Sequence, residues 1–205
     1  MKKLAFLATA SLLIACNASK KKVSSSETTS TTSASVTNSN SEQIEKISED
    51  INVTVPYNGS EMMLGIANRA GFERAPFNSW FDKNFDTYTV DQATVEKFNP
   101  FLKDVKIKTF MGTWCGDSKR ETPHFYKVLD AAGFNYDNLT LITVSRQKDT
   151  PQGFEKDLNI LRVPTIIFYR EGKEIGRYVE YARESLEKDM YAILNGADYK
   201  HSYDN

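Results

Sequence analysis

Hydrophobic and polar positions divide the 205-residue chain into three parts. Leu4 to Ala15 is an apolar run, residues 16–41 are mostly polar, and periodic apolar patterns follow. The apolar run is shorter than the roughly 20 residues that a membrane-spanning helix needs, so it predicts a signal segment, residues 1–15. The Ser/Thr-rich stretch cannot bury enough apolar surface to offset its ordering entropy, and it predicts a disordered tether.

The most regular pattern begins at residue 101 and predicts one folded domain over residues 101–205. Strands and helices are expected in the order β-α-β-α-β-β-α, which predicts an α/β fold with a mixed sheet and helices on both faces. The predicted strands are Val105–Phe110, Leu139–Val144, Val163–Tyr169 and Glu174–Val179. The predicted helices are Asp117–Ala132, Phe154–Leu158 and Arg183–Leu194.

Residues 42–100 form an extension without a motif of known chemistry. Its aromatic residues could mark a partner or ligand site, but packing onto the main core is the favoured interpretation. The pattern predicts a strand at Ile51–Val55 and helices at Glu42–Asp50, Glu61–Ala70, Ser79–Tyr88 and Asp91–Phe98.

Charge and metal-ligand spacing exclude several classes of function. Lys and Arg number 26 against 27 Asp and Glu, so no basic field indicates nucleic-acid binding. No residue cluster has the spacing of a metal site, and we expect no metal or cofactor. His124 follows Cys115 by nine residues, too far along a helix for a Cys–His pair, and is expected to be an ordinary helix histidine.

Two cysteines are present, Cys16 and Cys115. The basic start of the chain, its apolar run and the sequence Leu13-Ile14-Ala15-Cys16 together resemble a bacterial lipobox. That resemblance implies cleavage before Cys16, a lipid on its sulfur, and a protein held on the extracytoplasmic side of an envelope membrane. The alternative is an ordinary secretory signal with an incidental Cys16. If Cys16 is acylated, Cys115 is the only thiol and no internal disulfide can form.

Cys115 lies between a predicted strand and a predicted helix, in the sequence Gly112-Thr113-Trp114-Cys115-Gly116-Asp117-Ser118. A helix N-terminus favours the thiolate, which is the nucleophilic form of cysteine. Asp117 opposes this effect by charge repulsion, whereas Lys119 and Arg120 would support it if they fold toward the sulfur. The balance of these charges is left open by the sequence.

Four features at family spacing resemble the thioredoxin family over about residues 101–195. They are Trp114-Cys115-Gly116-x-Ser118, Pro123, Val163-Pro164-Thr165 and Gly172. More closely, the chain resembles envelope thioredoxin-like lipoproteins of Bacteroidetes with a Gly-Thr-Trp-Cys-Gly-Asp-Ser site. The resemblance implies the thioredoxin fold, with Ser118 in place of the family's second cysteine.

The resemblance also implies a role for each site residue. Cys115 would be the nucleophile, Trp114 would shield it, and Gly116 would let a partner's backbone approach. A cis bond before Pro164 would place Val163 beside the sulfur, in a substrate groove that includes Thr165. Ser118 could donate a hydrogen bond to the thiolate, but it cannot attack a mixed disulfide.

Two departures from the family pattern affect the expected chemistry. Thr109 stands where a buried acid normally helps to deprotonate the second cysteine, so both parts of the resolving machinery are absent. Glu180 follows Val179 where the family often has glycine, so the groove is expected to be more acidic or partly filled.

Two functions remain open from the sequence. One is single-thiol exchange through Cys115 with protein or small-molecule thiols and disulfides; the other is a redox-inactive binding module in the cell envelope. A peroxidase would need a Thr-x-x-Cys pocket, and Thr113 is one position too close to Cys115. A monomer, attached to a membrane through Cys16, is expected.

Overall fold

The computed structural model describes residues 50–204, so the tether, Cys16 and the helix predicted from Glu42 lie outside the described residues. The seven strands of the described part are β1 Thr54–Tyr57, β2 Ser60–Met63, β3 Gly65–Ala67, β4 Val105–Met111, β5 Leu139–Thr143, β6 Thr165–Arg170 and β7 Lys173–Val179. Its five α-helices are α1 Arg69–Phe72, α2 Asn78–Thr87, α3 Gln92–Phe98, α4 Gly116–Ala131 and α5 Leu186–Leu194.

A five-stranded mixed sheet in the order β3-β5-β4-β6-β7 forms the centre of the domain. Strands β4 and β5 are parallel, and the remaining neighbours in this sheet are antiparallel. Ile107 of β4 lies opposite Leu139 of β5 and Phe168 of β6, which places buried and partly buried apolar side chains on one face. This mixed sheet flanked by helices is the thioredoxin-like α/β fold that the sequence predicts.

The helices pack against the face of the sheet that carries Ile107. Buried apolar residues from each of α3, α4 and α5 form one hydrophobic cluster with Val105, Ile107, Ile166 and Phe168. Helix α4 runs from the end of β4 across this face, with Phe125 and Leu129 fully buried. The start of α4 is thereby held at the carboxyl end of β4.

An irregular segment covers the opposite face, where Phe154, Leu158 and Ile160 pack against Phe110 and Ile142. The predicted helix Phe154–Leu158 does not form, so within residues 50–204 this face of the sheet carries an irregular segment where the sequence predicts a helix. Asp157 and Asn159 both adopt left-handed backbone conformations, with φ of 63° and 53°, which a right-handed helix cannot contain. The preceding loop is tied by hydrogen bonds instead, since the Glu155 carboxylate accepts from both the amide and the hydroxyl of Thr150.

The extension is more sheet-like than the sequence predicts. The predicted helix Glu61–Ala70 is wrong: its residues form β2, β3 and the start of α1, because β1 and β2 close a hairpin and β3 pairs with β5. The strand predicted at Ile51–Val55 begins later, at Thr54. The aromatic residues of the extension do pack onto the core, in a cluster of Phe72, Phe77, Phe81, Met111 and Tyr126.

Candidate active site

Cys115 is the N-cap residue of α4, with an extended backbone at φ −90° and ψ 131°. A turn places it there: the Cys115 amide donates to the Gly112 carbonyl at 2.9 Å, and the Cys115 carbonyl accepts from the Lys119 amide at 3.0 Å. The side chain is half-buried and the thiol is free. The sulfur therefore lies beside the unpaired amide groups that begin a 16-residue helix.

The loop before β6 meets the sulfur from the other side. The Val163–Pro164 peptide bond is cis, as the family resemblance implies, and the Cys115 Sγ lies 3.3 Å from the Val163 carbonyl oxygen, to which the thiol can donate. Thr165 begins β6, and its hydroxyl donates to the Arg162 carbonyl at 2.7 Å. The structure thus brings together the predicted nucleophile and the predicted groove residues Val163, Pro164 and Thr165.

Trp114 packs over the loop that carries the cysteine. Its indole Nε1 donates to the Val144 carbonyl at 2.9 Å. A Cβ atom at Gly112 would lie 2.6 Å from the indole ring, so the loop needs glycine at that position. At Gly116 an added Cβ would meet no atom within 4 Å, so the space over the start of α4 is open to an approaching chain.

Ser118 does not bind the cysteine. The side chain of Ser118 is completely buried, and its Oγ accepts a hydrogen bond from the Gly112 amide at 3.2 Å. The predicted hydrogen bond from Ser118 to the Cys115 sulfur is not formed within the described residues, where the Cys115 sulfur is placed against the Val163 carbonyl instead. Ser118 therefore fixes the loop in front of the nucleophile.

Glu180 closes one side of the groove. Its amide donates to the Pro164 carbonyl at 2.7 Å, and its carboxylate pairs with the Arg162 guanidinium at 3.1 Å and accepts from the Tyr203 hydroxyl. The Arg162 guanidinium carbon lies 3.8 Å from the centre of the Tyr203 ring. The acidity expected from Glu180 is offset by Arg162, and the C-terminal segment fills part of the groove.

Other charged residues near α4 are occupied elsewhere. Arg120 binds Asp117 at 2.8 Å and Glu121 at 2.7 Å, so it forms ion pairs along the helix rather than folding toward the sulfur. His124 stacks on Tyr88 with ring centres 4.1 Å apart, and burial lowers the pKa of its imidazole. These contacts give both residues structural roles.

Thr109 lies on β4 with 1% of its surface exposed. Its hydroxyl has no hydrogen-bond partner among the described residues. A threonine hydroxyl does not accept a proton at neutral pH, so this position supplies no buried base. The geometry agrees with the absence of the second cysteine that such a base would serve.

Two further residues belong to the site and carry no motif that reveals them in the sequence. The guanidinium carbon of Arg146, in the loop after β5, lies 5.2 Å from the centre of the Trp114 ring. Tyr57 receives a hydrogen bond from Arg146 at 3.1 Å, although 89 positions separate the two residues. Their proximity depends on the β1–β2 hairpin, which the sequence pattern did not predict.

Within residues 50–204, no group of three or more His, Cys, Asp or Glu side chains is placed to hold a metal ion. The same part of the chain has no helix with the length and apolar character needed to cross a membrane.

The thioredoxin family profile matches residues 89–192, just over half of the chain. A thioredoxin-like protein of Acanthamoeba polyphaga mimivirus is 27% identical over 88 residues, which cover 43% of this chain and 61% of that protein. Mouse thioredoxin is 31% identical over 84 residues, 41% of this chain and 74% of that protein.

Comparison with solved structures finds lower similarity. A Pseudomonas aeruginosa protein of unknown function has a TM-score of 0.44 at 15% identity, covering 63% of this chain and 82% of its own. Oxidised mitochondrial thioredoxin 3 of Saccharomyces cerevisiae has a TM-score of 0.28 at 24% identity, covering 46% of this chain and 84% of its own. On the strength of the profile match, the chain belongs to the thioredoxin family, whose general function is thiol–disulfide redox chemistry.

Proposed function

We propose that this protein exchanges disulfides through a single thiol, Cys115, and that an external thiol completes each cycle. The observation that carries the proposal is the position of the Cys115 sulfur, at a helix N-terminus and 3.3 Å from the Val163 carbonyl. A partner strand that pairs with this loop would carry its disulfide to the sulfur. The position that would hold a second sulfur is occupied by buried Ser118.

The exchange balances without a change in the net redox state of the protein. The Cys115 thiolate attacks one sulfur of a disulfide, forms a mixed disulfide, and releases the other sulfur as a thiolate. An external thiolate then attacks the mixed disulfide and regenerates the Cys115 thiolate. The electrons therefore come from external thiols, and Cys115 carries the intermediate.

A redox-inactive binding module is the second candidate. It is favoured by the lack of a buried base at Thr109 and by the groove contacts among Arg162, Glu180 and Tyr203. Such a module would use the groove beside the Val163–Pro164 loop to hold a partner without forming a covalent bond.

The substitution Ser118→Cys distinguishes these functions. If Cys115 is an exchange nucleophile, the new thiol lies one helical turn away, forms a disulfide with Cys115, and raises the rate of insulin disulfide reduction. The control is Ser118→Ala, which removes the hydroxyl without adding a sulfur and should not raise the rate. A variant that forms the internal disulfide but reduces insulin no faster would favour the binding module.

We also propose that the protein is anchored to an envelope membrane through lipidated Cys16. The support is the basic start, short apolar run and Ala15-Cys16 junction of the sequence. Cys16→Ala should release the protein from the membrane fraction or leave the precursor uncleaved, whereas Ser19→Ala should do neither. A Cys16→Ala protein that is processed and membrane-bound like the parent would contradict the anchor.

A further inference from the structure

We propose that Arg146 determines the substrate specificity of the exchange site by binding a carboxylate carried close to the disulfide that Cys115 attacks. This inference rests on the proposed exchange function. It names the class of disulfide that the site prefers, namely one with an anionic carboxylate within a few bonds of its sulfur.

The first observation is the way in which the structure holds Arg146. Its guanidinium carbon lies 5.2 Å from the Trp114 ring centre, a distance typical of a cation–π contact. Its Nη1 donates to the Tyr57 hydroxyl at 3.1 Å. Trp114 is itself fixed by its hydrogen bond to the Val144 carbonyl. The guanidinium is therefore held over the residue that immediately precedes the nucleophile.

The second observation is charge. Among residues 50–204, carboxylates pair with Arg69, Arg120, Arg162 and Arg177, but no salt bridge includes Arg146. Arg146 is exposed, so its remaining donors face solvent. The pKa of Arg146 is raised, chiefly by the hydrogen bond and charge of Tyr57, with a smaller contribution from the charge of Cys115. A cation without a carboxylate partner among the described residues thus lies beside Trp114, the residue next to the nucleophile.

These observations together indicate a carboxylate as the ligand. A guanidinium presents donors in a planar fork that matches the two oxygens of a carboxylate, and the contact with Tyr57 leaves most of those donors free. A thiolate and an anionic disulfide repel each other, and Arg146 would offset that repulsion as they meet. The carboxylate could come from a small thiol or from an acidic side chain beside a protein disulfide.

The test compares two small disulfides that differ in charge. Dithiodiacetate carries a carboxylate one carbon from each sulfur, and dithiodiacetamide is its neutral analogue. The full-length chain with Cys16→Ala has Cys115 as its only thiol. The rate constant for adduct formation at Cys115 is measured by intact mass with each disulfide, at low and high salt.

Arg146→Gln should lower the rate ratio of carboxylate to amide by about two- to fivefold, the size expected for an exposed ion pair. Arg146→Lys should retain part of the preference, and Tyr57→Phe should reduce it partially by removing one hydrogen bond that orients the guanidinium. Lys83→Gln, on the exposed face of α2, removes one charge outside the site and should leave the ratio unchanged. High salt should diminish the preference of the parent.

The ratio of the two rate constants distinguishes a specificity role of Arg146 from a structural role, because a misfolded site would slow adduct formation with both disulfides equally. An unchanged ratio in Arg146→Gln, with both disulfides still reacting, would overturn the inference and leave the exchange function standing. If neither disulfide modifies Cys115 in the parent, the exchange function fails and the inference fails with it. Peptide disulfides with Glu or Gln beside the cysteine show where the carboxylate comes from. If it belongs to an acidic protein substrate, the Glu peptide should react faster than the Gln peptide; if it belongs to a small thiol, the two peptides should react at the same rate.

Discussion

Glu180 has a backbone φ of 66°, a left-handed conformation that costs most residues with a side chain about 1–2 kcal/mol. Three contacts hold it there: its amide binds the Pro164 carbonyl, and its carboxylate binds Arg162 and Tyr203. These contacts offset the cost of the left-handed conformation, and they connect the groove to the C-terminal segment that contains Tyr203.

Glu180→Gly should therefore separate backbone strain from side-chain contact. In this variant the strain of the positive φ is removed, but the contacts with Arg162 and Tyr203 are lost. Because these two effects oppose each other, the free energy of unfolding should change by less than about 1 kcal/mol. Hydrogen exchange of residues 199–204 should nevertheless become faster, because Tyr203 loses its acceptor. Glu180→Gln, which keeps the length of the side chain, is the control. Unchanged protection of these residues in Glu180→Gly would show that Glu180 does not hold the C-terminal segment.

Residues in short motifs could be predicted from the sequence, and residues joined only by folding could not. Cys115 and the Val163–Pro164 loop were identified because each lies in a local motif whose spacing reports on the fold. Arg146 and Tyr57 were missed because their contact requires a hairpin to reach across 89 positions. The acidic groove expected from Glu180 was altered by Arg162, a partner 18 positions away.

At the scale of elements, the extension contributes to the site through its β1–β2 hairpin. The amide of Met63, the last residue of β2, donates to the Thr113 hydroxyl at 3.1 Å, and both residues are buried. Thr113 lies two positions before the nucleophile. The hairpin thus supports the active-site loop from one side, while Ser118 supports it from the helix.

Thr113→Val should weaken this support by leaving the buried Met63 amide without an acceptor. A buried unsatisfied donor costs about 1–3 kcal/mol, and a loss of that size should appear in the denaturant-measured free energy of unfolding. Thr113→Ser keeps the hydroxyl and should lose less. Equal stability of the Val and Ser variants would mean that this hydrogen bond does not join the hairpin to the loop.

Long periodic elements were predictable and short ambiguous ones were not. Helix α4 has apolar residues at helical spacing over 16 residues, and the prediction differs from its observed ends by one residue. Glu61–Ala70 was wrongly predicted as a helix, since the pairing of β3 with β5, more than 70 positions away, decides its conformation. Phe154–Leu158 was also wrong, because contacts of its loop override a weak local preference.

For the whole molecule, stability should depend on pH through His124. Burial lowers the pKa of this imidazole below its ordinary value of 6.5, so the unfolded chain takes up a proton there before the folded protein does. His124 should therefore lower the free energy of unfolding as the pH falls below about 6.5. Above that value both states are neutral at this position, and the effect disappears.

His124→Phe tests this dependence while keeping a ring stacked on Tyr88. Denaturant unfolding at about pH 7.5 and about pH 5.5 should show a smaller loss of stability for the variant than for the parent. All other residues are the same in the two proteins, so the difference between the two losses of stability reports on position 124. Equal losses would show that burial of His124 does not contribute to acid destabilisation.

The whole molecule combines a thioredoxin-family domain that contains one thiol with an N-terminal segment that carries Cys16, the candidate site of a lipid anchor. Its central chemical claim is that Cys115 forms and releases a mixed disulfide with another molecule. The specificity assigned to Arg146 depends on that cycle, whereas the lipid anchor proposed at Cys16 does not.

The most direct test is one turn of the cycle, followed by intact mass on the full-length Cys16→Ala protein. Hydroxyethyl disulfide should add one thiol-sized adduct, mapped by peptide digestion to Cys115, and glutathione should then remove it and restore the free thiol. Cys115→Ser should take up no adduct. An adduct that never forms in the folded protein, or one that external thiol cannot release, would contradict the account.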